Sequence, residues 1–244
     1  MSANIGIKKL LSLGAISAAM AISSQVSAGT IIGSAHDFNT ANANGSAWDT
    51  QICLACHTPH NAQAGAQQIA PLWGHDTTAA TFTLYTGVAN SGVLPGTTSL
   101  NAVVGQPTGT SLLCLSCHDG TVAVDSFGGK ANGGGLTRIG TLRLTADLGT
   151  DLSNDHPISF LYDANLATQD GSLWGPTDVA HQITTLASPN GGVRTGTIDE
   201  VLLENSKMEC SSCHDVHNTF TGAEPMLLKI SITGSQLCLS CHNK

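Results

Sequence analysis

Large apolar side chains are scarce in this sequence. Aromatic residues make up 4% of the 244 residues, whereas glycine alone contributes 27. A chain with so few large apolar side chains buries little hydrophobic surface of its own when it folds. The composition therefore predicts that something other than side chains fills much of the core.

Basic residues are also few, with nine Lys and Arg against 17 Asp and Glu, which gives a formal charge of −8. Nucleic acid is a poor partner for such a surface, because its phosphates bind basic proteins. Cationic partners, metal ions and mineral surfaces suit this charge better.

Beyond the N-terminus, no apolar run is long enough to span a bilayer. Near the start, two lysines precede an apolar stretch over residues 10–22, and Val26-Ser27-Ala28 follows it. This order predicts a cleaved secretory signal peptide at residues 1–28, with an N-terminal membrane helix as the alternative. Residues 29–244 then form one domain with seven basic and 17 acidic residues, a formal charge of −10.

Cysteine is absent outside one motif. All eight cysteines stand in four copies of Cys-x-x-Cys-His, the attachment site of c-type haem, in which two thiols bond the porphyrin and the histidine ligates its iron. The sequence therefore predicts four haem c groups. The thioether residues are Cys53, Cys56, Cys114, Cys117, Cys210, Cys213, Cys238 and Cys241, and the proximal iron ligands are His57, His118, His214 and His242.

Three other uses of cysteine deserve comparison with haem attachment: four disulfides, zinc half-sites and redox-active dithiols. None of them requires a histidine directly after each second cysteine. Histidine accounts for only 10 of the 244 residues, so four such placements by chance are implausible. Haem attachment is the interpretation that explains every copy.

Four porphyrins would supply the missing core. We expect a mostly irregular chain with few short helices and minor β structure, wrapped around a row of four haems, and an apo-chain that is largely unfolded. Near-alternating apolar residues over 136–144 predict a strand or hairpin, and residues 198–204 predict a short helix before the third motif. Pro71-Leu-Trp-Gly74 is echoed by Ser172-Leu-Trp-Gly-Pro176, which suggests a duplicated haem-wall segment.

Six further histidines compete for the distal side of the irons, whereas Met208 and Met226 are the only methionines left after the signal peptide. This surplus predicts bis-histidine coordination, which gives lower potentials than Met/His coordination. An exposed or propionate-bonded position is expected for His181. The distal candidates are His36, His60, His75, His156 and His217.

Five candidates exceed the four that are needed. One of them is therefore either a neighbour of a ligand or a ligand to a haem in another copy of the chain. Because His60 and His217 lie three residues after a proximal histidine, each can reach a neighbouring haem but not the far face of its own.

The sequence around the motifs resembles the outer-surface multihaem cytochromes of metal-reducing bacteria, in particular their tetrahaem, filament-forming members. The resemblance covers the haem-bearing parts and not residues 126–151 or the stretch that follows His181 before the third motif. Gly74 stands where the family often has asparagine. The matching stretches are Ser-Ala-His-Asp-Phe at 34–38, Cys-Leu-Ala-Cys-His-Thr-Pro-His-Asn at 53–61, Pro-Leu-Trp-Gly-His at 71–75, Leu-Cys-Leu-Ser-Cys-His-Asp-Gly-Thr-Val-Ala at 113–123, Asn-Asp-His-Pro-Ile-Ser-Phe at 154–160, Cys-Ser-Ser-Cys-His-Asp-Val-His-Asn at 210–218 and Leu-Cys-Leu-Ser-Cys-His-Asn at 237–243.

This resemblance implies copies of the chain joined head to tail, with a continuous haem row. It also implies that His60 ligates the last haem, the one with proximal ligand His242, in the adjacent copy. Contacts of this kind that do not close a ring produce open filaments.

The sequence thus predicts a secreted, non-enzymatic electron carrier outside the cell or on its surface. Its partners would be its own copies and other redox proteins or extracellular electron acceptors. A monomeric periplasmic shuttle is the main alternative. A multihaem reductase with an open iron is disfavoured, because the chain is poor in the Lys and Tyr that would line its pocket.

Overall fold

The computed structural model describes residues 31, 32, 34, 36, 37, 52–66, 68–85, 100–128, 146–187, 192–217 and 225–244. The predicted signal peptide at 1–28 and the predicted strand at 136–144 lie outside these residues. All eight cysteines and all ten histidines lie within them.

Short elements joined by irregular backbone make up the described chain. The helices are α1 (Gly109–His118), α2 (Ala164–Asp170), α3 (Ile198–Val201), α4 (Cys210–Cys213) and α5 (Gln236–Leu239), with 3-10 turns at Pro225–Leu227 and Thr233–Ser235. The strands are β1 (Phe160–Leu161), β2 (Ile183–Thr184), β3 (Thr195–Gly196) and β4 (Lys207–Met208). β1 pairs antiparallel with β4, and β2 with β3. This is the mostly irregular architecture, with few helices and minor sheet, that the composition predicts.

Local sequence explains where the helices begin and end. The side chain of Asp163 accepts a hydrogen bond from the Leu166 amide at the start of α2, and Gly171 ends that helix in the left-handed conformation that glycine adopts without strain. At the start of α3, Thr197 and Glu200 form a reciprocal capping box. The helix predicted over 198–204 is present as α3 but is shorter, since it ends at Val201 with Leu202 as its C-terminal cap.

The largest hydrophobic cluster lies between the third and fourth motifs. Tyr162 is its most buried aromatic side chain, and Cys241 of the fourth motif is one of its members. Two smaller clusters, one around Trp73 and Leu113 and one around Phe82 and Leu115, lie beside the first and second motifs. The apolar core is thus divided into patches that each adjoin a Cys-x-x-Cys-His segment.

Among the residues that the structure describes, no helix has the length and apolar character needed to cross a membrane.

Candidate haem sites

Each Cys-x-x-Cys-His motif folds as a single helical turn. In three of them the histidine amide donates to the carbonyl of the first cysteine, at 2.8 Å for His57, 3.0 Å for His214 and 2.9 Å for His242. The second motif forms the last turn of α1. Residues three and four apart on a helix share a face, so both thiols and the imidazole of a motif can address one ligand. None of the eight cysteines is bonded to another as a disulfide.

A short segment, which we call a strap, pairs antiparallel with each of three motifs. Straps are residues 72–74 for the first motif, 227–229 for the third and 172–174 for the fourth. The central residue of each strap bridges the motif histidine, in the pairs Trp73–His57, Leu228–His214 and Leu173–His242.

The three straps also share their flanking hydrogen bonds. The residue after the motif histidine donates to the first strap carbonyl, at 2.8 Å, 2.7 Å and 3.0 Å in chain order of the motifs. The third strap residue donates to the second cysteine of the motif, at 2.8 Å, 2.9 Å and 2.8 Å. This shared pattern shows one local construction used three times.

The two similar Leu-Trp-Gly segments do not occupy the same positions in their straps. Trp73 occupies the central position of its strap, whereas the central residue of the fourth strap is Leu173 and Trp174 follows it. Successive residues of an extended segment point to opposite faces. The echoed Leu-Trp pairs are therefore offset by one residue, and the two tryptophans face opposite sides of their straps.

Three of the motif histidines are held by a hydrogen bond at one ring nitrogen, Nδ1. The Nδ1 atom lies 2.6 Å from the Pro71 carbonyl oxygen in His57, 2.8 Å from that of Ala146 in His118 and 2.7 Å from that of Met226 in His214. A backbone carbonyl at Nδ1 fixes the tautomer with the proton on that atom and leaves Nε2 free to bind metal. This is the arrangement that an imidazole ligand requires.

Two histidine pairs have the spacing that a shared iron would impose. The ring centroids of His57 and His217 are 6.3 Å apart, and those of His118 and His36 are 6.0 Å apart. Two metal–imidazole bonds of about 2 Å, with about 1 Å more from each nitrogen to its ring centre, separate the centres of such a pair by about 6 Å. The donor sets of the first two motifs therefore fit a metal bound between two imidazoles.

Burial keeps His36 in the neutral form that can act as a ligand. Its pKa is lowered from 6.5 to about 4, first by burial and then by the nearby imidazoles of His118, His214 and His217. A neutral imidazole is the form that binds a metal.

The other distal candidates occupy three different settings. His75 is fully buried, and its Nε2 lies 3.1 Å from the Ala123 carbonyl and 3.3 Å from the Cys117 sulfur. His156 is exposed but lies near His242, whose pKa is lowered by burial and then by His156. His60 is exposed, and its ring forms no hydrogen bond with any residue in the described ranges.

Neighbouring motifs in the chain are also neighbours in space. Burial and then the nearby Cys56 raise the pKa of the Cys117 thiol, so the first two motifs lie side by side. The neighbouring Cys210 and then burial raise the pKa of the Cys114 thiol. At the other end, Cys213 adjoins Cys238. The four thiol pairs therefore follow one another in chain order.

A buried polar network joins the second and third motifs. Glu209, which is 2% exposed, accepts hydrogen bonds from Ser111 of α1 and, at 2.9 Å, from Ser159. Ser111 also accepts from the Cys210 amide at 2.9 Å. Burial raises the pKa of the Glu209 carboxyl. Since α1 and α4 carry the second and third motifs, this network fixes the distance between them.

A zinc site needs about four converging ligands. Across the described ranges, no three His, Cys, Asp or Glu side chains converge on a point where they could hold a metal ion directly.

Comparison with protein families agrees with the motif analysis in the C-terminal part of the chain. Residues 204–244, which contain the third and fourth motifs, match the family described as doubled CXXCH motif. This match indicates covalently bound haem c and electron transfer through it. No curated protein matches the chain.

Sequence reasoning identified the motifs and the histidines but not what supports them. The straps have no sequence signature beyond their position, because their contacts are made by backbone atoms. Glu209 directly precedes Cys210, yet nothing in the sequence indicated that Ser111, 98 positions away, would bond it. The role of His181, described below, was also missed.

Proposed function

We propose that this chain transfers electrons through four c-type haems, each attached by two thioether bonds and ligated by two histidines. The spacing of the histidine pairs at the first and second motifs carries this proposal. The haem supplies one-electron chemistry, and the protein supplies the ligands, the burial and the spacing. An iron held between two imidazoles has no open position for a substrate, so the proposed role is not enzymatic.

Ring distances suggest the ligand assignment. His57 and His217 would hold the first iron, and His118 and His36 the second. The proximity of His156 to His242 makes it the candidate within the same chain for the fourth iron. His75 and the exposed His60 then remain. Both ring nitrogens of His75 face backbone carbonyls, Nδ1 at 2.7 Å from Asp76 and Nε2 at 3.1 Å from Ala123, so its ring would have to turn before it could ligate the third iron, with proximal ligand His214. His60 is the candidate ligand to a haem in another copy.

We further propose that the secreted chain assembles head to tail into an extracellular filament. Support comes from the family resemblance, from the predicted signal peptide and from the exposure of His60. The order of the thiol pairs also supports it, because a row that follows the chain has its two ends at the first and fourth motifs. In a filament these ends would be joined by contacts between copies.

Intact mass and optical spectra of the purified full-length protein test the electron-transfer proposal. The expected result is a polypeptide shortened by residues 1–28 and heavier by four haems, with low-spin ferric spectra. A colourless protein with eight free thiols, or one that binds stoichiometric zinc, would refute it.

Electron microscopy of the wild-type protein and two variants tests the filament proposal. His60→Ala is expected to abolish filaments and leave one haem in each chain without its second histidine. His156→Ala is the matched comparison, because it removes the competing candidate within the chain. Normal filaments in His60→Ala would rule out the shared ligand, and a wild-type protein that stays monomeric would favour the periplasmic shuttle.

A further inference from the structure

The fourth motif is held differently from the first and third. Its strap precedes it in the chain, whereas the other two straps follow theirs. The Nδ1 atom of His242 forms no hydrogen bond with any residue that the structure describes, in contrast to His57 and His214. Something else must fix the orientation of this last motif.

His181 and Trp174 occupy the position where that support is needed. Their rings are stacked, with centroids 4.3 Å apart and planes 12° from parallel. The Nε2 atom of His181 lies 2.9 Å from the carbonyl oxygen of Ser240, which stands between the two cysteines of the motif. Trp174 also donates its backbone amide to the Cys241 carbonyl at 2.8 Å.

These contacts satisfy backbone groups that the motif itself leaves unpaired. The last carbonyls of a helix have no partner within it, and Ser240 and Cys241 directly follow α5. His181 donates to the first of these carbonyls. The second accepts from Trp174 and, at 3.3 Å, from the Tyr162 hydroxyl. Tyr162 also donates to the Trp174 carbonyl at 2.8 Å, so the strap and the motif are tied to one buried side chain.

The hydrogen bond also determines which chemistry His181 can perform. The Nε2 atom of His181 donates to a carbonyl, so it carries the proton and has no lone pair for a metal, and only Nδ1 keeps one. Stacking on Trp174 fixes the ring plane, and aromatic pairs of this kind add stability beyond the area they bury.

We propose that His181 and Trp174 form a positioning pair that orients the fourth motif, and that His181 is not an iron ligand. The pair takes the place of the Nδ1 hydrogen bond found at the first and third motifs. This inference rests on the proposed function, since it requires a haem attached at Cys238 and Cys241.

Four variants of the full-length haem-loaded protein test the proposal. His181→Ala removes both the stacking and the hydrogen bond, His181→Phe keeps only the stacking, and His181→Gln keeps a donor for Ser240. His217→Ala, at the first motif, is the control for loss of a true ligand. Intact mass, ferric spin state, the four midpoint potentials and amide hydrogen exchange are measured for each.

We expect His181→Ala to keep four haems, all low-spin, and to shift one of the four midpoint potentials. Amide exchange over residues 236–244 should rise about tenfold, because one hydrogen bond and one ring contact are lost together. His181→Gln should restore the potential and most of the protection, and His181→Phe should restore neither fully. His217→Ala should make one haem in four high-spin.

A high-spin haem in His181→Ala would overturn the proposal, because it would make His181 a ligand. Unchanged potentials and unchanged exchange would overturn it as well, because the pair would then position nothing. Should His181→Ala fail to fold, His181→Gln and His181→Phe provide the same comparison. Loss of the fourth haem from the wild-type protein would instead refute the proposed function, and intact mass separates that outcome from the others.

Discussion

The two inner motifs and the two outer motifs are built in different ways. The second and third motifs lie on packed helices, α1 and α4, and the buried network around Glu209 joins them. The first and fourth motifs are single turns held by backbone straps, and their first cysteines, Cys53 and Cys238, are exposed, whereas the third motif has both a strap and its helix. The protein thus fixes the spacing of the two inner motifs and leaves one cysteine of each outer motif exposed, while Cys241 is buried.

This difference suits a chain that passes electrons along its length. Rigid inner spacing maintains the distance between neighbouring haems within one molecule. In the proposed filament, the exposed Cys53 and Cys238 would lie where a haem of another copy approaches.

The largest expected effect is on spin state, and the rate of cyanide binding should then differ between an outer haem and an inner one. His217→Ala and His36→Ala should each make one haem in four high-spin, because each removes one of the paired imidazoles. Cyanide should bind the opened iron faster in His217→Ala, since His217 is exposed whereas burial lowers the pKa of His36 to about 4. Optical stopped-flow measures both rates, and equal rates or an unchanged spin state would contradict the comparison.

Disrupting the inner network should cost the most stability. Glu209→Ala leaves the Ser111 and Ser159 hydroxyls without their buried acceptor, so we expect the free energy of unfolding to fall by about 2–4 kcal/mol. Thermal melting of the haem-loaded protein measures this change. Glu209→Gln is the matched control and should lose less, because its amide oxygen still accepts both bonds. A change below about 0.5 kcal/mol for Glu209→Ala would show that the network is not structural.

Crowding the strap of the first motif should have a smaller effect. A Cβ at Gly74 would lie 2.1 Å from the Thr58 hydroxyl oxygen, so Gly74→Ala forces the strap away from the motif. We expect a loss of about 1–3 kcal/mol, the usual cost of overpacking. Gly65→Ala has nothing within 4 Å of its Cβ and serves as the control. Equal melting temperatures for the two variants would show that the strap yields freely.

The smallest expected effect is a change in pH dependence at the inner network. Burial raises the pKa of Glu209 above its ordinary value of 4.5, so the folded state binds this proton more tightly than the unfolded state. Stability from this group is therefore present below pH 4.5 and is lost as the pH rises through the folded pKa. Glu209→Gln should flatten the melting temperature over that range. An unchanged pH profile would indicate that Glu209 does not titrate there.

Much of the candidate site could be predicted because covalent haem attachment is specified by a contiguous motif. The scarcity of aromatic residues also predicted the irregular backbone and the short elements. The pairing of His57 with His217 could not be predicted, because it joins residues 160 positions apart through a fold with little regular structure. Nor could the straps, since backbone hydrogen bonds do not depend on side-chain identity.

His181 illustrates the limit most clearly. Its sequence context is ordinary, and we expected it to be exposed or bonded to a propionate. The structure instead places its Nε2 atom against the Ser240 carbonyl and its ring against Trp174. Only the folded chain brings residues 174, 181 and 240 together, so no local pattern could have indicated it.

Quantitative low-temperature EPR of the oxidised full-length protein, with iron and polypeptide measured on the same sample, tests the central claim most directly. The account predicts four low-spin ferric haems per chain and no high-spin signal, because each iron is held between two imidazoles. A high-spin signal in the wild-type protein, or fewer than four haem irons per chain, would contradict it.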